Sequence, residues 1–269
     1  MKFDLSKATF IIPIRIESQD RLRNVITTTA FLLENFDTNI IVKEVDSESI
    51  FVRDVVPTLK DFFDVDTHIF HIFEKSNEPL FHRQKVLNEM IVEAKTEIVV
   101  NYDCDVILPL DSYHEAYLSI LHHTHDVIYP YGQGMYQKQV HATDEIVSNF
   151  LQTGDFEYLD NNSKIHTSDF GWAQFFNRKV YVDGGMENEN FKAYAPEDKE
   201  RFYRFTTLGY NVGRINNYVY HLEHARGENS WFNNPHMQSN NTEWEKIQKM
   251  SATQLREYYN NQSYLKKYG

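Results

Sequence analysis

Two carboxylates fall within three residues in Asp103-Cys104-Asp105, directly after the β-rich run Glu97-Ile98-Val99-Val100-Asn101-Tyr102. Acids at the end of a strand can present oxygen ligands to a hard divalent cation. A cation held there can neutralise a diphosphate as it leaves. Turn acids that only face water give the same short pattern. His221-Leu222-Glu223-His224 ends another β-like run and offers imidazoles to a transition-type metal such as manganese. On a strand the two rings need not share a face, so one or both can ligate, and a local His pair is also common as plain structure. Pro196-Glu197-Asp198 opens a helical segment. Acids there are favoured by the helix dipole, and a carboxylate so placed can also take a proton from a hydroxyl as a general base. Arg15 and Arg83 lie near a strand end and a helix start. Each can grip phosphate with a fork of N–H donors or make an ordinary surface ion pair.

The elements that must position these residues follow from periodicity. Thr9 to Arg15, Asn39 to Val45, His68 to Phe73 and Glu97 to Tyr102 read as strands. Between them, Arg21 to Asn35 carries Leu22, Val25, Ile26, Phe31 and Leu32 at helical spacing. Phe81 to Ala94 does the same with Val86, Leu87, Met90 and Ile91. Asp46-Ser47-Glu48-Ser49 has turn chemistry. Alternating strands and helices predict an α/β protein with a parallel sheet. Such sheets bind ligands beyond the carboxyl ends of their strands, which is where Pro13, Arg15, Asp46, Asp103 and Asp105 fall. The second half is less regular. Helices are expected at Asp111 to His122 and Glu197 to Leu208, and strands at Asp126 to Tyr131, Phe170 to Phe176 and Val212 to Tyr220. Val140 to Ile165 should hold a helix and a loop, and Thr242 to Tyr259 one closing amphipathic helix. No repeat or linker breaks the chain, so a single domain over residues 1–269 is expected.

The length of 269 residues and 41% hydrophobic content suffice for a full core. The 17 Tyr and 19 Phe serve that core, and some can line a groove, since sugars stack on aromatic faces. A net charge of −12 argues against nucleic acid as a partner. An anionic cofactor would need a local cluster of cations or a metal. Cys104 is the one cysteine, so no internal disulfide forms, which fits a reducing, cytoplasmic setting. No stretch reaches the roughly 20 apolar residues that span a bilayer, and the start lacks a signal-peptide pattern. The expectation is a protein without a transmembrane segment, at most peripheral to a membrane.

In order and spacing, these segments resemble the GT-A glycosyltransferases, and within them the β-1,4-galactosyltransferase type and the galactosyltransferase-like domains of bacterial chondroitin-type polymerases. Phe10-Ile11-Ile12-Pro13-Ile14-Arg15 resembles the opening Ile-Ile-Pro-x-Arg strand, and Phe81-His82-Arg83-Gln84-Lys85-Val86-Leu87-Asn88 the Phe-Asn-Arg-Ala-Lys-Leu-Leu-Asn helix start. Asp103-Cys104-Asp105 is similar to the family's Asp-x-Asp, Phe170-Gly171-Trp172 to its Phe-Gly-Gly, Glu197-Asp198 to its Glu-Asp pair, and His221-Leu222-Glu223-His224 to its Met-x-x-His. The resemblance covers about Phe10 to Asn234. Tyr194-Ala195-Pro196 stands where the family has Trp-Gly-Gly, Trp172 replaces a glycine, and Glu17 replaces a second arginine.

The resemblance implies a GT-A, Rossmann-like fold with a mixed, mainly parallel central sheet. It implies a nucleotide-binding half over about 1–110, a donor and acceptor half over about 111–240, and a closing helix over 241–269. Pro13, Arg15, Phe81 and Arg83 would hold a UDP-sugar donor, Asp103 would approach its ribose or sugar, and Asp46 is a looser match to an acid that contacts the base. Asp105 and His224 would ligate Mn2+ (or Mg2+), with His221 a third ligand. Asp198 would be the catalytic base and Glu197 would orient a sugar. Trp172 and Tyr194 would belong to the site of a glycan acceptor, whereas Trp231 and Trp244 are expected to pack. The implied activity is an inverting transfer of a hexose or N-acetylhexosamine. The alternatives are a sugar-nucleotide-binding protein of polysaccharide assembly that has lost catalysis, and a metal-dependent phosphoester hydrolase.

Overall fold

The computed structural model describes residues 2–227 and 234–268. Trp231 lies outside them. The first half runs β1 (Phe3–Ile14), α1 (Gln19–Asn35), β2 (Phe36–Asp46), α2 (Val56–Lys60), α3 (Val65–His68), β3 (Ile69–Lys75), α4 (Arg83–Glu93) and β4 (Ile98–Tyr102), the four strands and the helices α1 and α4 as periodicity predicts, α2 and α3 in addition. β1 lies between β2 and β4 and runs parallel to both, with β3 parallel outside β2. Residues Ala8 to Ile14 of β1 are all buried. Only a strand covered on both faces reads as such an unbroken apolar run. The short helical stretch from Phe51 to Lys60 was not evident from sequence. It is seeded by the fully buried Glu44, whose carboxylate accepts the N–H groups of Ile50 and Phe51 and the Ser49 hydroxyl.

The second half runs β5 (Val106–Ile107), α5 (Leu110–Leu121), β6 (Val127–Tyr129), β7 (Gly134–Val140), α6 (Asp144–Thr153), α7 (Phe156–Asn161), β8 (Ser163–Ser168), β9 (Ala173–Asn177), α8 (Arg178–Asp183), α9 (Glu197–Thr207), β10 (Val212–Arg214), β11 (Val219–Leu222), α10 (Met237–Ile247) and α11 (Ala252–Asn260). β9 enters the main sheet antiparallel, between β4 and β6, giving the order β10-β6-β9-β4-β1-β2-β3. A second sheet has the order β5-β11-β7-β8.

Three expectations need correction. The single strand expected over Val212 to Tyr220 is two strands in different sheets, β10 and β11. The stretch between Val140 and Ile165 does hold helices, but it is framed by β7 and β8, whose polar residues gave no strand signal. The closing helix is two helices, because Ser251 and Gln254 form a capping box that starts α11 afresh. The main buried cluster runs from Leu5 to Leu222 and so joins both sheets. A smaller cluster of Phe191, Leu208, Ile247, Leu255 and Tyr259 seats the last two helices beside α9. Trp244 packs there, edge-on to Tyr203.

Candidate functional site

β4 ends at Tyr102, and the chain turns through Asp103-Cys104-Asp105 into β5. β5 pairs antiparallel with β11, matching Val106 to His221. The backbone N–H of Leu222 donates to the Asp105 carbonyl at 2.8 Å. This pairing carries two imidazoles to one carboxylate. His224 Nε2 lies 3.0 Å and His221 Nε2 3.8 Å from Asp105 Oδ2. Ligand atoms of the three side chains all fall within 4.8 Å of one another. Burial opposes ionisation of Asp105, but hydrogen bonds and charge from the two histidines outweigh it and hold the carboxyl well below its usual range. His224 Nδ1 donates to the Ala225 carbonyl at 2.7 Å, which leaves Nε2 as the ligand atom. One carboxylate and two imidazoles make a mixed oxygen and nitrogen donor set, suited to a first-row divalent ion.

Helix α1 braces this corner from behind. Asn24 Nδ2 donates to the Leu222 carbonyl, Thr28 Oγ1 to the Cys104 carbonyl and Arg23 to the Glu223 carbonyl. Asn24 and Thr28 are fully buried polar residues on a helix face that otherwise packs in the core. That incongruity was the one sequence signal that could have singled them out.

Because β9 is antiparallel to β4, its start lies beside the end of β4. The Asp103 N–H therefore reaches the Trp172 carbonyl at 2.8 Å. Arg83, at the start of α4, donates to Asp103 Oδ1 at 2.5 Å and to Asn101 Oδ1 at 3.2 Å. Desolvation raises the Asp103 carboxyl above its usual range; Arg83 works against this and Asp105 adds to it. Arg15 is largely committed to backbone. Its Nε donates to the Val45 carbonyl, and its Nη1 to the Glu78 and Pro79 carbonyls, with Phe81 beside the guanidinium at 5.5 Å. Asp46 stands apart from the cleft the other site residues line, and its carboxylate accepts the Ser47 N–H.

At the first turn of α9, Glu197 and Asp198 face the same cleft. Arg201, one turn on and 1% exposed, donates to both oxygens of Glu187 at 2.7 Å, to Asp198 Oδ1 at 2.8 Å and to Gln174 at 3.1 Å. The Asp198 carboxylate is thereby fixed by a cation that is itself fixed. Glu197 is 8% exposed, and its Oε2 has no hydrogen-bond partner among the described residues. Burial first, and the Asp198 charge second, push its carboxyl up to about 8.

The loops that frame these acids take left-handed backbone. Trp172, Ala193 and Ala195 have φ of 54°, 56° and 52°. At Trp172 and Ala195 the resembled family carries glycine, the residue that adopts this conformation without a Cβ penalty. Gly171 has φ of 116°, and a Cβ there would lie 2.9 Å from Asp198 Oδ2. Asn240, fully buried on α10, donates to the carbonyls of Lys192 and Ala195 and accepts from Lys192 N–H. Tyr194 is partly exposed beside that anchored stretch. The Trp172 ring stands edge-on to Tyr131 at 5.4 Å.

One cleft of about 910 Å³ takes in Pro13, Arg15, Phe81, Arg83, Asp103, Asp105, Trp172, Tyr194, Glu197, Asp198, His221 and His224. That volume suits a nucleotide with a sugar attached. No helix among the described residues is long and apolar enough to cross a membrane.

No protein-family model matches the chain, and no curated protein matches it either. Solved structures do. A mannosyltransferase, PcManGT from Pyrobaculum calidifontis in complex with GDP-Man and Mn2+, aligns over 96% of this chain and 69% of its own, with a TM-score of 0.51 and 13% identity. GalNAc-T7 with UDP, GalNAc and Mn2+ aligns over 94% of this chain with a TM-score of 0.55 and 11% identity. The chain spans half the length of that second structure. Both likenesses are to glycosyltransferases of the GT-A type, and GT-A is the fold of this chain.

Proposed function

We propose that this GT-A chain is a metal-dependent inverting glycosyltransferase that moves a hexose or N-acetylhexosamine from a UDP-sugar to a glycan hydroxyl. One observation carries the reading: Asp105, His221 and His224 converge within 4.8 Å in the same cleft as the fixed carboxylate of Asp198. Those three would hold a divalent cation, Mn2+ or Mg2+, which would supply positive charge to the diphosphate of the leaving nucleotide. Arg83 adds a permanent charge of the same sign, and Asp103 beside it meets the ribose or donor sugar. Pro13, Arg15 and Phe81 bound the nucleotide at the ends of the parallel strands, the usual ligand position in such sheets.

Asp198 takes the proton of the acceptor hydroxyl. The hydroxyl oxygen forms its bond to the anomeric carbon from the face opposite the nucleotide, and the bonding pair of the breaking C–O bond leaves with UDP. Arg201 holds the Asp198 carboxylate for this role, and Glu197 meets a sugar hydroxyl with its unpaired oxygen. Trp172 and Tyr194 face the acceptor. The choice of UDP rests on the resemblance to the β-1,4-galactosyltransferase type.

The test is a pair of variants. Asp198→Asn should lose transfer by about 10²–10⁴-fold, the usual worth of general-base help. It should keep the rise in melting temperature given by Mn2+ with UDP. His224→Ala should lose both. Equal loss of both by Asp198→Asn would assign that residue to structure instead.

A further inference from the structure

The second sheet turns one face to the cleft. His221 of β11 is matched to Gln139 of β7, and Val219 to Gln137. Gln139 is in turn matched to Lys164 of β8, and Gln137 to His166. Directly matched residues project from the same side of a sheet. The face that carries His221 therefore continues outward as Gln139 and Gln137, then as His166, and these three line the same cleft. The opposite face carries Tyr220, Leu222 and Val140, which are buried in the core.

This wall is built for a polar ligand. Gln137 is 7% exposed as a residue, but its amide lines the cleft and is not among the buried side-chain groups of the described residues that lack a partner, so its atoms stay open to a ligand. An amide both donates and accepts, as a sugar hydroxyl does. Gln139 donates to Glu223 at 3.3 Å, and Asp169 also lines the cleft, so an anionic chain would meet carboxylates here. Lys164, exposed on the outermost strand, is a cation of this face, and Arg21, Lys199 and Arg226 line other parts of the cleft. Three neighbouring strands span about 10 Å, more than one sugar ring covers.

We propose that the acceptor is a neutral saccharide chain of two or more residues, with its reacting hydroxyl at Asp198 and its preceding residues along Gln137, Gln139 and His166. This rests on the transferase reading above. It adds that the enzyme extends or decorates an oligosaccharide and does not act on free monosaccharides by preference.

The experiment uses the full chain with MnCl2 and four donors, the UDP derivatives of glucose, galactose and their N-acetylamino forms. Acceptors are hexose and N-acetylhexosamine monomers, dimers and tetramers, with a sulfated tetramer as the anionic control. Transfer efficiency should rise at least tenfold from monomer to tetramer. Gln137→Ala and His166→Ala should each remove most of that ratio. His166 lies on an exposed edge strand, so its variant keeps the fold should Gln137→Ala not. Binding of the same sugars to the UDP-loaded protein, followed by saturation-transfer NMR, should show the same chain-length preference and the same loss. A flat dependence on chain length in both measurements overturns the proposal, as does preference for the sulfated tetramer. UDP release from donor alone reports separately on the transferase reading, and the binding measurement tests the wall even where no release occurs.

Discussion

Glu197 and Asp198 adjoin in sequence, yet their carboxyls meet different surroundings. Asp198 pairs with Arg201, whereas Glu197 is buried, one oxygen has no partner among the described residues, and burial with the Asp198 charge pushes its carboxyl up to about 8. At neutral pH the proton thus resides on Glu197. An unfolded glutamate has released it above its ordinary value of 4.5. Between these two values the folded state binds the extra proton, so stability falls as pH rises through the window, by up to about 1.4 kcal/mol per unit. Glu197→Gln should flatten that slope and melt above the unsubstituted protein at the alkaline end, as calorimetry across the window will show. Gly171→Ala probes the neighbouring carboxylate. Its Cβ would lie 2.9 Å from Asp198 Oδ2. The expected outcome is a lower kcat with unchanged nucleotide-dependent stabilisation.

Helix α9 and its preceding loop hold the acids only because other elements hold them. Arg201 joins α9 to the buried Glu187, whose ionisation burial opposes and Arg201 restores. Arg201→Met would leave that carboxylate buried and unpaired, at a cost of about 3–5 kcal/mol. Chemical denaturation should read this as a lower midpoint with unchanged slope. The loop at Ala193 and Ala195 depends on α10 through Asn240. Left-handed backbone costs an alanine about 1–2 kcal/mol, while glycine loosens the unfolded chain by about 0.4–1 kcal/mol. Ala195→Gly should therefore stabilise the protein by a net of about 0.5–1 kcal/mol. A lower melting temperature for that variant would contradict the account. These dependencies were not legible in the sequence. A buried asparagine on α10 has no local signature that names the carbonyls it serves.

At the scale of the molecule, the site exists because two sheets share one corner. β4 delivers Asp103 and Asp105, β9 returns antiparallel to set Trp172 beside them, and the β5–β11 pairing adds the imidazoles. Removing the cation with a chelator should lower the melting temperature, and Mn2+ at a hundredfold excess over its dissociation constant should restore about 2.7 kcal/mol by mass action. His224→Ala should abolish that response in a thermal-shift assay.

What the sequence determined was local. Apolar periodicity marked β1 to β4 with α1 and α4, and strand ends marked Arg15, Asp103 and Asp105, which line the cleft. The order of the short motifs pointed to the GT-A arrangement. What only the tertiary structure decided was which distant groups meet. Val212 to Tyr220 looked like one strand but divides between two sheets, because where a strand pairs depends on partners far along the chain. The same reason hid the roles of Asn24, Thr28, Arg201 and Asn240, whose hydrogen bonds join segments far apart in sequence. Hydrophobic patterning says which face of an element is buried; it does not say against what.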